Sequence, residues 1–220
     1  MEAALERGGV ESPLRERLAR YAALVLEANR HFNVTGAKSA DELAEHLLDS
    51  LTILPYVRAP YVDLGSGAGL PAIPIALAAG IPVTMVESNL KKARLLESLM
   101  QELGLRGSVV TERAEAAGRR PDLREAFASG TARAVAIAPA VAELVVPFLR
   151  LEGVAVLQRG ALPKDERAAL ADASMMLGAV IEEEVALGGE RRIVLLRKAR
   201  PTPERFPRRP GVPAKRPLCL

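Results

Sequence analysis

Asp63-Leu64-Gly65-Ser66-Gly67-Ala68-Gly69-Leu70 is the stretch that decides the fold of this 220-residue chain. Tyr61-Val62-Asp63-Leu64 reads as a short strand, and the uncharged run behind the turn, 70–79, as a buried helix. Glycine at 65, 67 and 69 lets the backbone turn sharply between them and approach a ligand where a Cβ would clash. A dinucleotide-binding turn would carry its third glycine at position 70, but that residue is Leu70, and the glycines run G-x-G-x-G. Asp63 brings a carboxylate into the turn, which would repel a pyrophosphate and suits a ligand with a cationic end.

The pattern on both sides agrees. Glu87 ends the next strand, 83–86, where the ribose of an adenosine would offer its hydroxyls to a carboxylate. Strands are expected at 108–111, 132–137, 154–158, 179–185 and 192–196. Helices are expected at 90–103, near 123–128, and at 139–149 and 164–176. Leu187-Gly188-Gly189-Glu190 joins the last two strands as a hairpin, so the sheet should be mostly parallel with one antiparallel strand. Upstream, Ser12-Pro13 opens a helix with Leu14, Leu18, Tyr21, Ala22 and Val25 on one face. Ser39 with Glu42 makes a capping box for a second helix. The glycine turn, Glu87 and the alternation together favour an α/β methyltransferase sheet for S-adenosylmethionine, a ligand with an ammonium, a sulfonium and no phosphate.

Composition narrows the classes further. With 49% hydrophobic and 26% charged residues, the chain is globular rather than disordered. Its one cysteine, Cys219, allows no internal disulfide or cysteine zinc site, and with His31 and His46 its only histidines, no metal is expected. Residues 64–86 carry no charge, but four glycines and three prolines break the run into strand and helix rather than a membrane span. The opening Met1 to Arg7 lacks the order of a signal peptide, and a cytoplasmic protein is expected. From Arg197 onward there are eight Lys/Arg against the single acid Glu204, so of the net charge of +3 the rest of the chain carries −4. With six of the 16 prolines, that tail is expected to be an extended basic arm able to contact phosphates.

Absences bear on the target atom. No cysteine lies near a strand end for covalent attack on cytosine C5, and no Asn/Asp-Pro-Pro-aromatic tetrapeptide is present for exocyclic amines. What remains includes a nucleophile with its own lone pair, such as guanine N7, for which catalysis is alignment and desolvation.

Over nearly its whole length the chain resembles the bacterial small-subunit ribosomal RNA guanine-N7 methyltransferases, the glucose-inhibited division protein B family. The resemblance rests on Asn33-Val34-Thr35-Gly36, His46-Leu47-Leu48-Asp49-Ser50-Leu51, the run from Asp63 to Pro74, Arg133-Ala134-Val135-Ala136, and the ending Pro207-Arg208-Arg209-Pro210-Gly211-Val212-Pro213 with Pro217-Leu218. It implies a class I, Rossmann-like seven-stranded sheet (58–199) with an N-terminal helical cap (1–57) and a basic, proline-rich C-terminal arm (200–220). It implies that Gly65, Gly67, Gly69 and Leu70 line the methionine end of the cofactor. Glu87, Ser88 and Asn89 would hold the ribose and the adenine edge, and Ala114 and Glu115 would flank the adenine. Arg133, at the fourth strand, would complete the pocket near the methyl group. An arginine among Ala132, Ala134 and Val135 demands a partner in any case. Asn33, Thr35 and His46 are candidates to meet the base; Asp49 and Ser50 read as structural. Lys91, Lys92, Arg94, Arg191 and Arg192 are candidates to face RNA. The chain departs from the family at Arg191-Arg192, at Arg159-Gly160 and in Phe127-Ala128-Ser129-Gly130-Thr131, where the family tends to have Arg-His, Lys-Gly and a Phe-Asp start.

The expected activity is methyl transfer from S-adenosylmethionine to N7 of a guanine in small-subunit (16S) rRNA, free or in a ribosomal particle, by a monomer with no membrane attachment. With aromatic residues at 3% and no Trp, RNA binding should rely on Arg and Lys and weaken steeply with salt. The alternatives are an S-adenosylmethionine-binding RNA-interaction protein without turnover and a nucleotide-dependent oxidoreductase, which would share the sheet.

Overall fold

The computed structural model describes residues 1–133 and 135–219, so Ala134 of the Arg133-to-Ala136 motif lies outside the described residues. Three helices lead: α1 (Glu2–Arg7), α2 (Ser12–His31) and α3 (Ala40–Leu51). The alternating part follows as β1 (Tyr61–Leu64), α4 (Ala72–Ala79), β2 (Val83–Val86), α5 (Leu90–Glu102), β3 (Gly107–Val110) and α6 (Ala114–Ala117). It continues through β4 (Phe127–Thr131), α7 (Ala138–Val145), β5 (Leu149–Arg159) and α8 (Lys164–Leu177). A hairpin of β6 (Ala179–Gly188) and β7 (Arg191–Lys198) comes next, and the single-turn α9 (Val212–Lys215) is the last element.

Seven strands form one sheet in the order β3-β2-β1-β4-β5-β7-β6. β1 to β5 pair in parallel, and β7 runs antiparallel to both of its neighbours, as the hairpin pattern predicts. The order reverses between β1 and β4, which opens a crevice at the carboxyl ends of the central strands. Successive residues of a strand face opposite sides of the sheet. Tyr61, Met85 and Leu195 therefore join the core under α1 to α5, while Val62, Val86 and Val194 join the core under α7 and α8. No described helix is long and apolar enough to cross a membrane.

The leading helices follow the expected pattern with one shift. Ser39 Oγ accepts the Glu42 N–H at 3.1 Å, and the Glu42 carboxylate accepts the Lys38 N–H at 2.7 Å, closing the start of α3. In α2 the predicted capping residue Ser12 is already helical. Glu11 occupies the cap position, and the Ser12 hydroxyl donates to Glu16.

Two expectations are corrected. The fourth strand is 127–131 rather than 132–137, and the short helix near 123–128 does not form. The segment Phe127-Ala128-Ser129-Gly130-Thr131 has few of the β-branched residues that mark a strand, but all five residues are buried. A Cβ at Gly130 would lie 2.8 Å from Val145 Cγ1, and Ser129 Oγ donates to the Arg58 carbonyl at 2.6 Å. Close approach of α7 and of the chain before β1 selects these small residues, and local propensity does not register it. The described residues of that segment, 132, 133 and 135–137, are instead in the loop leaving β4.

The basic tail is the second correction: it packs on the body. Phe206 and Leu218 are buried, Arg119 Nε donates to the Pro207 carbonyl at 3.0 Å, and Arg124 Nη2 to the Thr202 carbonyl at 2.7 Å. Arg208 pairs at 2.6 Å with Glu143, which has no exposure to solvent. Arginines of the body thus satisfy carbonyls of the proline-rich segment that no regular structure could satisfy.

Candidate active site

The loops leaving β1, β2, β3 and β4 converge on the crevice. In the first, the Gly65 N–H donates to the Val86 carbonyl at 2.8 Å and the Gly67 N–H to Glu87 Oε2 at 3.0 Å. Gly69 needs its glycine most: φ is +96°, and a Cβ would come within 2.5 Å of Ile73 Cδ1. From behind, the Tyr21 hydroxyl of α2 donates to the Ala68 carbonyl at 2.9 Å, so the helical cap braces the turn. Leu70 is half-buried and packs on the core beneath the cap.

Asp63 is fully buried at the foot of this turn. Thr131 Oγ1 of β4 donates to its Oδ1 at 2.6 Å, and the Tyr61 hydroxyl lies 2.7 Å from the same Thr131 oxygen. Oδ2 has no hydrogen-bond partner among the described residues. Burial pushes the Asp63 pKa up to about 7, against the Thr131 hydrogen bond and the positive charge of Arg133, which lower it. A buried carboxylate with one oxygen unpartnered favours an incoming cation.

Four of the predicted cofactor residues, Gly65, Ser88, Ala114 and Glu115, line one cleft of about 350 Å³, with Val135 forming part of its wall. The Glu87 carboxylate is fixed by the amides of Gly67 and Asn89, at 3.0 and 2.7 Å, and keeps further lone pairs free. The Asn89 side chain is otherwise engaged: it caps α5, accepting from the Lys91 and Lys92 amides at 3.0 and 3.2 Å. The Glu115 carboxylate is bound by Arg113 at 3.1 Å and by the Gly211 N–H of the tail at 2.7 Å. Burial raises its pKa, but these bonds outweigh that and hold it below the ordinary value. Asn89 Oδ1 and the Glu115 carboxylate are thus held by partners within the chain.

Arg133 lies just past the end of β4 and is absent from the lining of that cleft. Its Nη1 reaches Asp49 Oδ2 of α3 at 3.0 Å and Ser50 Oγ at 3.5 Å. Asp49, read from sequence as structural, is the partner that the half-buried Arg133 required, and it also binds Arg191. Gln158 Nε2, at the end of β5, donates to the Asp49 carbonyl at 2.7 Å. Gln158 went unnoticed in the sequence and Arg159 stood out only as a departure from the family pattern, although polar residues ending the apolar run Val154-Ala155-Val156-Leu157 are the same signal that marks Arg133. His46 is exposed, one helical turn before Asp49 and Ser50. Asn33 is exposed in the turn after α2, which Asn29 Oδ1 holds by accepting the Val34 and Thr35 amides at 2.8 and 3.1 Å. Among the described residues neither Asn33 nor His46 hydrogen-bonds Arg133.

Comparison with known proteins places this geometry. The family profile described as rRNA small subunit methyltransferase G (GidB) matches residues 14–194. The "Ribosomal RNA small subunit methyltransferase G" of Deinococcus deserti is 38% identical over 227 residues, covering 98% of this chain and 93% of that protein. The protein of the same name from Rubrobacter xylanophilus is 42% identical over 211 residues, covering 89% and 81%. Among solved structures, the O-methyltransferase from Bacillus cereus in complex with SAH superposes with a TM-score of 0.58 at 18% identity. That match covers 81% of this chain and 91% of that one and shows a shared fold. With the profile spanning most of the sequence and relatives aligned almost end to end, this chain belongs to the rRNA small subunit methyltransferase G family.

Proposed function

We propose that this chain transfers the methyl group of S-adenosylmethionine to N7 of a guanine in 16S rRNA, leaving 7-methylguanosine and S-adenosylhomocysteine. The observation that carries the reading is the buried Asp63 carboxylate under the glycine turn, with an unpartnered oxygen. A pyrophosphate would be repelled there, whereas the cationic end of S-adenosylmethionine is favoured. Family membership supports ribosomal RNA as the substrate.

S-adenosylmethionine, when bound, supplies an electrophilic methyl group on a sulfonium. The residues of the chain bind and align. Gly65, Gly67 and Gly69 would carry the methionine end, with Asp63 opposite its ammonium. Glu87 would accept from the ribose hydroxyls with its free lone pairs, and Ser88 and Ala114 would flank the adenine. Guanine N7 brings its own lone pair, so no residue has to remove a proton. The chain lowers the barrier by holding the base in line and keeping water out. Arg133 stands between the cofactor cleft and the α3 side, where it would position the target nucleotide. Asn33 and His46 are the exposed groups proposed to meet the base. The reaction is assigned to a cytoplasmic monomer acting on rRNA or an assembling small-subunit particle.

The Asp63 carboxyl gives the reading a pH signature. Below pH 7 it is largely protonated in the free protein, and binding a cation must expel that proton. Cofactor affinity is therefore expected to rise with pH, by up to about tenfold per unit below pH 7, and to level off near 7. Calorimetric titrations from pH 5.5 to 8 measure this directly; a flat profile would remove Asp63 from the cofactor site.

The function itself is tested by methyl transfer from labelled S-adenosylmethionine to small-subunit particles and to free rRNA lacking the modification. Borohydride–aniline cleavage, which cuts at 7-methylguanine, then maps the product. A single new cut is expected. Tight cofactor binding without label transfer would instead indicate a non-catalytic binding protein.

A further inference from the structure

Beside the cofactor cleft lies a second one, of about 440 Å³, walled by guanidinium groups. Arg133 comes from the loop after β4, Arg159 from the end of β5, and Arg191 and Arg192 from the start of β7. The one carboxylate among its lining residues is that of Asp49. Asp49 Oδ2 lies 3.0 Å from Arg133 Nη1, and Oδ1 accepts from Arg191 Nη2. Arg159 donates to the Ala136 carbonyl at 2.8 Å and to Glu166 at 2.9 Å, yet its Nε, like that of Arg192, is buried with no acceptor among the described residues. Each guanidinium carries five N–H donors. Arg192 Nη1 has only the Glu184 carboxylate at 3.9 Å, so among the described residues four guanidiniums face three carboxylates, and the ligand that corrects the remaining imbalance is an anion with several oxygens, as a phosphodiester is.

We infer that Asp49 is a stand-in for an RNA phosphate. In the free protein its carboxylate holds Arg133 and Arg191 in place. When substrate docks, a backbone phosphate next to the target nucleotide takes over both guanidiniums. Asp49 is 28% and Arg191 52% exposed, so their pairing sits at the cleft mouth, within reach of an incoming strand. Holding two long side chains in advance lowers the entropy lost on docking. The same carboxylate repels phosphates that arrive without the rest of the substrate, so affinity is sacrificed for selectivity. The inference rests on the rRNA reading above and adds to it the part of the substrate that this cleft grips.

The test is binding of unmodified small-subunit rRNA at saturating S-adenosylmethionine across a salt series. Asp49→Asn keeps the size of the side chain and removes the competing charge, and it is expected to tighten RNA binding about three- to tenfold. Arg191→Ala is expected to weaken binding and to reduce the slope of log K against log salt by about one. In the Arg191→Ala background the gain from Asp49→Asn should shrink, because part of it acts through Arg191. Melting curves verify folding, and Asp49→Ser carries the same expectation should the asparagine variant prove unstable. If Asp49 only anchored the arginines, its replacement would loosen them and leave RNA binding weaker or unchanged; either result overturns the stand-in role. Wild-type protein that fails to bind the rRNA at all would overturn the rRNA reading as well. Tight wild-type binding without a gain in Asp49→Asn overturns this inference alone.

Discussion

Asp63→Asn is expected to weaken S-adenosylmethionine binding by about 100-fold or more at pH 8 while making the free protein more stable. Both effects come from one buried carboxylate. Its ionised form is disfavoured by burial, which raises the pKa to about 7. Because the folded-state value lies above the unfolded value near 3.9, ionisation removes stability as pH rises from about 4 through about 7. Asparagine keeps an oxygen to accept from Thr131 and cannot ionise, but its amide inherits the unpartnered position of Oδ2. The net gain at pH 8 is therefore about 1–3 kcal/mol, below the full value implied by the shift. Thermal melts of the free proteins at pH 5 and pH 8 check this: the advantage of the variant should be small at the lower pH and larger at the higher. Weaker cofactor binding follows from the proposed role of Asp63, because the substitution removes the charge that would face the ammonium. A variant that binds cofactor as tightly as wild type would contradict the reading of Asp63.

Arg208→Ala is expected to destabilise the protein by about 2–4 kcal/mol, lowering Tm by roughly 5–12 °C in a chain of this size. Glu143 on α7 is fully buried, and its two oxygens accept from the Arg208 guanidinium at 2.6 to 3.0 Å and from the Arg208 amide at 2.8 Å. Removing the guanidinium leaves a buried negative charge with one backbone donor. The diagnostic comparison is the double variant with Glu143→Gln, which removes that charge and should recover part of the lost stability. If the double variant were as unstable as the sum of the two singles, the buried charge would not be the cause. The tail also donates the Gly211 N–H to Glu115 in the cleft proposed for the cofactor, so on that reading cofactor affinity should fall along with stability.

Much of the architecture could be read directly from the chain. β1 and β2 form at the predicted residues because Tyr61-Val62-Asp63-Leu64 and Val83-Thr84-Met85-Val86 are bounded by glycine, proline and acid. Gly80 ends α4 at φ +66°, and the Gly189-Glu190 turn joins the closing hairpin. Each of these is a local signal in which the residue and its neighbours carry the information. β4 carried no such signal. Its small residues are required by α7 and by Arg58, both distant in sequence, and the more apolar segment after it had the better strand pattern without the pairing partners.

The candidate site divides in the same way. The glycine turn, Asp63 and Glu87 are legible because a sharp turn after a strand needs particular residues in consecutive positions. Sequence also identified Arg133 as an arginine in need of a partner. Only the tertiary structure supplied that partner, since Asp49 lies 84 residues away on a helix, where by itself it reads as structural. It likewise decided that the Asn89 side chain caps a helix and that the Glu115 carboxylate binds the tail. It also showed that the tail itself is packed. Its basic residues and prolines look unfoldable alone, but Arg119, Arg124 and Glu143 on the body provide the hydrogen bonds and charge it lacks. Local backbone preference and strand alternation are written into neighbouring residues. Which charge is neutralised by which depends on desolvation between segments brought together only by folding.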